Sequence, residues 1–330
     1  MLVGLFIVTH VLLNEIFCMK QANNLPSPFL PIKNASLRTI HISMLLYYDN
    51  ALVIRMRYDI DRLKKFLLSV VYSSWLSYNN HPMNKIANWV FHVVSIRKLS
   101  DSVKMDEDHD GNKYRERLNQ YLNRFIDRYS VAVLFTGYNF LFNSVYTDTQ
   151  GLGIMFSACD VNSDRTIIIE ARSYRAAFVL AHEIGHTLGM DHDDSLCGST
   201  YIMSATVGDG KAKFSKCSFK QLERRFNELF NSTIPSEWKI QECFLKPNLK
   251  NPLHTFPMTK VESFQSVSAD EQCSLGLGQD FVASELEFSS NNICANLICS
   301  NRFIKMHIHP AIEYTICDIN MYCRAGTCEN

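Results

Sequence analysis

Four residues able to do chemistry together lie within one short stretch: His182, Glu183, His186 and His192. His182 and His186 are four residues apart, a spacing that sets both imidazoles on one face of a helix, one turn apart. Two imidazoles so placed are half of a tetrahedral zinc site. Gly189 follows His186 by three residues. A glycine there can take a positive φ, end the helix and turn the chain back, which brings His192 round as a third ligand. Three protein ligands leave one zinc position open, which distinguishes a catalytic ion from a structural one. Glu183, off the ligand face, is placed to serve as general base toward a water bound at that position.

Such a site needs a rigid layer beneath it. Ile40 to Tyr48 is apolar and loosely alternating, and predicts a strand. Tyr58 to Leu76 carries apolar residues at helical spacing. Ile86 to Leu99 predicts a second strand, Tyr114 to Tyr129 an amphipathic helix, and Val131 to Phe135 an apolar strand. Gly151 to Phe156 and Thr166 to Ile169 predict short strands, and Ser173 is the expected N-cap of the helix bearing His182 and His186. Phe219 to Phe230 predicts the closing helix. Pro247, Pro252 and Pro257 then predict a linker. The alternation of strand and helix is that of an α/β layer fold. Trp75, Trp89 and Trp238 are expected in its core. Asp106 to Gly111 begins like a calcium loop, but Arg117 stands where that loop needs a bidentate Glu, so a solvated acidic loop is expected. His307 and His309 flank Ile308 with no third ligand nearby in sequence, and are expected in a solvated loop.

The 330 residues carry 33 basic and 33 acidic side chains, so nothing suggests a nucleic-acid footprint or an anionic membrane surface. Of 11 cysteines, Cys18 stands alone and the other ten run from Cys159 to Cys328, six of them after residue 272. An even, crowded set predicts a disulfide framework made in an oxidising compartment. The apolar run from Met1 to Leu13 is too short to span a bilayer. It predicts a secretory signal peptide over residues 1–18, the alternative being a buried N-terminal segment. Residues 19–37, with Pro26, Pro28 and Pro31, predict a linker or propeptide remnant. Asn34 and Asn231 lie in glycosylation sequons.

From His182 to Asp193 the pattern His-Glu-x-x-His-x-x-Gly-x-x-His-Asp resembles the long zinc signature of the metzincin metalloproteases, and the final Asp resembles their reprolysin (adamalysin) branch. That family places a methionine turn beneath its zinc, and Met203, eleven residues after His192, fits it. Ala132 to Thr136 is similar to the family's central strand, and Phe214 to Ser218 and Cys243 to Pro247 to its two closing cysteine segments. The resemblance implies pairs Cys197–Cys217 and Cys159–Cys243. The tail resembles the disintegrin-like domain of disintegrin metalloproteases with thrombospondin motifs, short of two of its eight cysteines. It implies pairs Cys273–Cys299, Cys294–Cys323 and Cys317–Cys328.

The expected fold is therefore an α/β metzincin domain over residues 38–247, with a mixed, mostly parallel five-stranded sheet, followed by a small disulfide-rich disintegrin-like domain over 248–330. The implied activity is that of a secreted, monomeric zinc endopeptidase acting on extracellular matrix or host proteins. Its substrate would add a strand along Gly151 to Phe156, and Ser204 to Val207 would line the pocket for the side chain after the cut. Such a chain resembles arthropod venom or salivary enzymes. Two departures stand out. No cysteine between residues 19 and 158 offers the zinc-blocking thiol of a family propeptide, and Ser43 and Ser130 take positions where relatives hold a structural calcium, so no calcium is expected there. A binding protein acting through its tail is the alternative, although no Arg-Gly-Asp is present; a non-proteolytic zinc hydrolase would need a different third-ligand spacing.

Overall fold

Ile40, Ile42, Met44 and Leu46 of the first strand face one hydrophobic cluster, while Leu45 and Tyr47 face another. A strand buried on both faces belongs inside a parallel sheet covered by helices on either side, and the computed structural model builds that sheet. It describes residues 37–122, 129–142, 150–206, 211–247, 249, 251–256, 267–284 and 293–329. The expected signal peptide, the segment to residue 36, Asn34 and Cys18 lie outside these.

The strands are β1 (Thr39–Tyr48), β2 (Asn88–Lys98), β3 (Val131–Thr136), β4 (Gly151–Leu152), β5 (Thr166–Glu170) and β6 (His254–Phe256). They are ordered β4-β5-β3-β1-β2-β6. β2, β1, β3 and β5 run parallel, and the two edges, β4 and β6, are antiparallel to their neighbours. The sheet thus has six strands rather than the expected five. The sixth comes from the stretch expected to be a linker: Thr255 pairs with His92 and Phe256 is fully buried. Three prolines punctuate that stretch, but three residues between them suffice to pair with a free edge.

The helices are α1 (Asn50–Arg55), α2 (Ile60–Asn79), α3 (Gly111–Leu122), α4 (Ala176–Thr187), α5 (Lys216–Asn231) and α6 (Pro235–Leu245). Asp49 caps α1 by accepting from Leu52 N–H at 2.9 Å, and Asp59 caps α2 in the same way from Arg62. The expected helix from Tyr58 therefore begins only after Asp59, because Arg57 and Tyr58 take positive φ between the two helices. α1 and α6 have no counterpart in the expected elements. Trp238, on α6, is 54% exposed and not in the core, whereas Trp89 is buried and Trp75 donates its indole N–H to Trp89 O at 2.9 Å.

Helix α4 carries the first two histidines and lies against α2. Ser74 Oγ donates to Ala177 O at 2.6 Å and Tyr78 Oη to Ala181 O at 2.9 Å, so two buried hydroxyls hold the helix that bears the site. Ser173 is not its N-cap. The helix starts at Ala176, and Ser173 Oγ instead accepts from Arg175 N–H at 3.3 Å in the preceding turn.

Beyond β6 the chain forms α7 (Ala269–Leu277) and two small sheets, β7 (Val282–Ala283) with β8 (Leu297–Ser300) and β9 (Lys305–His309), and β10 (Ile316–Asp318) with β11 (Met321–Arg324) and β12 (Thr327–Glu329). Residues 37–330 cluster as one unit. Tyr174 Oη donates to Glu271 Oε1 at 3.1 Å, Arg175 donates to Ile308 O, and Glu313 N–H donates to Ser73 Oγ at 3.1 Å. The tail thus grips the turn that launches α4 and the back of α2. His307 and His309 lie in β9 rather than in a loop. His307 is exposed while His309 is buried with its Nδ1 on Pro310 O, so they make no joint site.

Glu313 is buried in this junction. Its Oε1 accepts from Ala325 N–H at 2.8 Å, but Oε2 has no hydrogen-bond partner, and the Asn80 amide faces it without closing a bond. Burial pushes its carboxyl up to about 8. The folded chain then holds a proton there that the unfolded chain releases from about pH 4.5 upward. Stability is greatest below that pH and falls as pH rises toward 8, by a few kcal/mol at most. Glu313→Gln is expected to flatten the decline in Tm between pH 5 and pH 8. An equally steep decline in the variant would show that the carboxyl does not titrate in this window.

Candidate metal centre

The three imidazoles meet. His186 Nε2 and His182 Nε2 each lie 3.2 Å from His192 Nε2. His182 Nδ1 is 2.7 Å from Ile202 O and His186 Nδ1 is 2.8 Å from Met190 O. A carbonyl only accepts, so in both rings Nδ1 carries the proton and Nε2 keeps its lone pair, the tautomer a metal ligand needs. Burial holds His182 neutral, its pKa lowered to about 3. Tetrahedral zinc with bonds of ~2.0–2.1 Å spaces its nitrogen ligands about 3.3 Å apart. The donor set and its spacing therefore fit zinc.

Gly189 takes φ +98°, and a Cβ there would fall 2.4 Å from the Phe156 ring. The turn after α4 needs glycine for both conformation and space. Asp193, after the third histidine, accepts from Ser215 Oγ at 2.6 Å and Ser218 Oγ at 3.1 Å. It ties the histidine turn to the N-terminus of α5, a role its position in sequence does not disclose. Met203 is fully buried, and its Sδ would lie 2.6 Å from a Cβ on Gly185. The sulfur thus packs on the helix between the two histidines.

Glu183 is buried, and burial raises its carboxyl to about 8, opposed by the backbone N–H of Gly153. A Cβ on Gly151 would sit 2.5 Å from Glu183 Oε1 and 2.6 Å from Val179 Cγ1; one on Gly153 would sit 3.0 Å from Oε2. The edge strand passes so close over the carboxylate that only glycine fits. Composition could have flagged Gly151-Leu152-Gly153, but nothing in the sequence links it to Glu183. Gly151→Ala is expected to lower kcat about a hundredfold by moving the carboxylate or the strand, with zinc stoichiometry unchanged by metal analysis. A kcat within twofold of wild type would mean the strand yields without cost.

The expected substrate edge is shorter than Gly151 to Phe156. β4 ends at Leu152, and Phe156 turns away with φ +60°, under the Arg225 guanidinium at 5.2 Å. Of the expected pocket segment, Ser204 is buried and accepts from Tyr201 N–H at 3.2 Å, Ala205 and Thr206 are exposed, and Val207 lies outside the described residues. The acidic loop is neutralised by basic side chains: Arg117 pairs with Asp106, and Lys113 with Asp108. At the would-be calcium position, Ser43 N–H donates to Ser130 Oγ at 3.0 Å and Ser130 N–H to Ser43 Oγ at 2.9 Å, a mutual clasp with no carboxylate in it. The disulfides are Cys159–Cys243, Cys197–Cys217, Cys273–Cys299, Cys294–Cys323 and Cys317–Cys328.

A methionine packed beneath two helix histidines, with the third delivered by a glycine turn on a mostly parallel sheet, is the arrangement of the metzincin class. Within that class the chain belongs to the reprolysin (M12B) family of zinc metalloproteases, whose model matches residues 41–232. The tail, expected to be disintegrin-like, matches the model named ADAMTS cysteine-rich domain 2 over residues 265–329. The chain is similar to a disintegrin and metalloproteinase with thrombospondin motifs 19 of Homo sapiens, 27% identical over 70% of this chain and 19% of that protein. It is also similar to adt-1 of Caenorhabditis elegans, of the same description, 30% identical over 62% of this chain and 14% of that protein. Its likeness to human member 8 is 28% identity over 65% of this chain and 24% of the relative. The chain thus spans less than a quarter of the length of each of these three relatives.

Proposed function

We propose that this chain is a zinc-dependent endopeptidase that hydrolyses internal peptide bonds of extracellular proteins. The observation that carries the proposal is the convergence of three imidazole lone pairs, 3.2 Å from His192 to each of the others, next to a buried carboxylate on the same helix. His182, His186 and His192 would hold zinc, which supplies Lewis acidity toward a water and a substrate carbonyl. In its ionised form, which the positive charge of a bound zinc would favour against the burial that raises its pKa, Glu183 takes a proton from the attacking water and passes it to the leaving amine. Gly153 N–H and the glycine slot hold that carboxylate in place. An extended substrate would pair along the outer side of β4, whose only paired strand among the described residues is β5.

The experiment is cleavage of a generic protein substrate by wild type and Glu183→Ala, with and without a zinc chelator. Loss of cleavage in both arms, with zinc restoring the chelated enzyme, is the expected result; equal activity of wild type and variant would sink the reading. Five disulfides support an oxidising, secretory compartment. Among the described residues no helix is long and apolar enough to cross a membrane. Asn231, exposed at the end of α5, is a glycosylation site in this reading. The Ser43–Ser130 clasp supports independence from calcium at that position, and calcium is expected to leave Tm unchanged; a rise of several degrees would refute it.

A further inference from the structure

Two disulfides of the tail share one cluster of sulfurs. Cys294–Cys323 and Cys317–Cys328 are separate bridges, yet the Sγ atoms of Cys294, Cys317 and Cys328 all lie within 4.8 Å of one another. Cys323 and Cys328 are also direct partners across β11 and β12. Cys323 N–H donates to Thr315 O and its carbonyl accepts from Tyr314 N–H, both at 2.8 Å, so its backbone bonds point away from β12. The two are therefore a non-hydrogen-bonded pair, the kind whose Cα atoms stand about 4.5 Å apart, within the span a disulfide bridges. Each of the four cysteines thus has a second partner in reach: Cys294 with Cys317, and Cys323 with Cys328. Cys294, Cys317 and Cys323 are buried, whereas Cys328 is partly open to solvent. A thiolate arriving from outside meets Cys328 Sγ first.

The hairpin held by these bridges rests on the support of the metal centre. Ala325 and Gly326 form its turn, both with positive φ. A Cβ on Gly326 would lie 3.4 Å from Ala212 Cβ and 3.8 Å from Cys294 O. Ala212 is buried, and its neighbour Lys213 accepts from Ile202 N–H at 2.8 Å. Ile202 O in turn takes the Nδ1–H of His182 at 2.7 Å. The turn of the hairpin is thus packed on the segment whose partner strand orients the first histidine.

We propose that these two bridges form a thiol-triggered switch on the metal site: a small thiol of the glutathione class catalyses their exchange to Cys294–Cys317 and Cys323–Cys328, which frees the β11–β12 hairpin and loosens the seat of His182. The effect on cleavage rests on the endopeptidase reading above; the exchange does not. The balance closes without an oxidant. The thiolate bonds to Cys328 Sγ as the Cys317–Cys328 bond breaks, leaving Cys317 as a thiolate. Cys317 attacks Cys294 Sγ and expels Cys323 as a thiolate. Cys323 then attacks Cys328 Sγ and expels the thiol that began the sequence. Two disulfides enter and two leave. In the product neither hairpin cysteine is bonded outside the hairpin, which then depends on non-covalent ties such as its pairing with β10 and the bond from Ala325 N–H to Glu313.

The test incubates the full chain with millimolar glutathione at neutral pH, blocks free thiols and maps the unreduced tryptic peptides; cleavage after Arg324 separates Cys323 from Cys328. Peptides joined through Cys323–Cys328 and Cys294–Cys317 are expected, with Cys159–Cys243, Cys197–Cys217 and Cys273–Cys299 intact. Over the same time the cleavage rate should fall roughly tenfold, and a chelator should strip zinc faster. Cys317→Ser with Cys328→Ser keeps Cys294–Cys323 but removes the open point of entry, and whatever its starting rate it should not respond to glutathione. Native pairing that persists until the other three bridges open as well would overturn the proposal. So would complete exchange with cleavage and zinc loss unchanged, or a double variant as sensitive as wild type. If the untreated protein cleaves nothing, the endopeptidase reading fails, while the peptide map and the rate of zinc loss still decide this one.

Discussion

Glu183→Gln is expected to reduce kcat by about a thousandfold while the protein stays folded and keeps its zinc. The variant preserves shape: a glutamine carbonyl oxygen can still accept from Gly153 N–H in the slot left by Gly151 and Gly153. What it loses is the ability to take a proton. Stability should not suffer, since the native carboxyl is buried and an amide avoids the cost of desolvating its charged form. The three imidazoles keep their own anchors on Ile202, Met190 and one another, none of which involves Glu183. The decisive combination is kcat on a peptide substrate, zinc content by metal analysis and Tm by calorimetry, measured on one preparation. Residual activity within tenfold of wild type, with zinc bound, would assign the proton transfer to another group.

The second large effect is on stability. Replacing Cys159 and Cys243 together by serine is expected to cost about 4–5 kcal/mol, the loop-closure term for a cross-link between residues 84 apart. For a chain of this size that is a fall in Tm of roughly 6–8 °C. The bridge joins the segment that follows β4 to the end of α6, and Cys159 N–H also donates to Ser130 O at 3.0 Å, beside the serine clasp. Cutting it frees α6 and loosens the floor under β1 and β3 at once. Cys197→Ser with Cys217→Ser removes a cross-link that closes a loop of only 20 residues and should cost less. A fall in Tm no larger for the 159–243 pair than for the 197–217 pair would show that the native contacts, not the cross-link, hold this corner.

The contrast between α1 and α4 shows what sequence patterning reaches. The helix bearing His182 and His186 runs through the apolar stretch Ala176 to Ile184 and ends in a glycine with positive φ, so its place and limit are local properties of the chain. The short helix Asn50–Arg55 has too few residues for a period to show, and its only sequence mark is the Asp49 cap. The same holds for β6. Three residues between prolines carry no pattern of their own, and they become a strand because β2 offers an unpaired edge. Trp238 illustrates the reverse error: hydrophobicity alone assigned it to the core, but α6 turns it outward.

The sequence by itself determined which atoms can bind a metal, because the spacing of His182, His186 and His192, the carboxylate of Glu183 and the turn at Gly189 all lie within a single helix-and-turn whose geometry is local. Only the tertiary structure decided how those atoms are held and tuned. The carbonyl that fixes the His182 tautomer comes from Ile202, the cover over Glu183 from Gly151 and Gly153, and the hydroxyls that seat the site helix from Ser74 and Tyr78. The reason is the range of the forces: helix spacing acts over one turn of chain, whereas burial, hydrogen bonding and close packing join residues that are adjacent only once the sheet has formed.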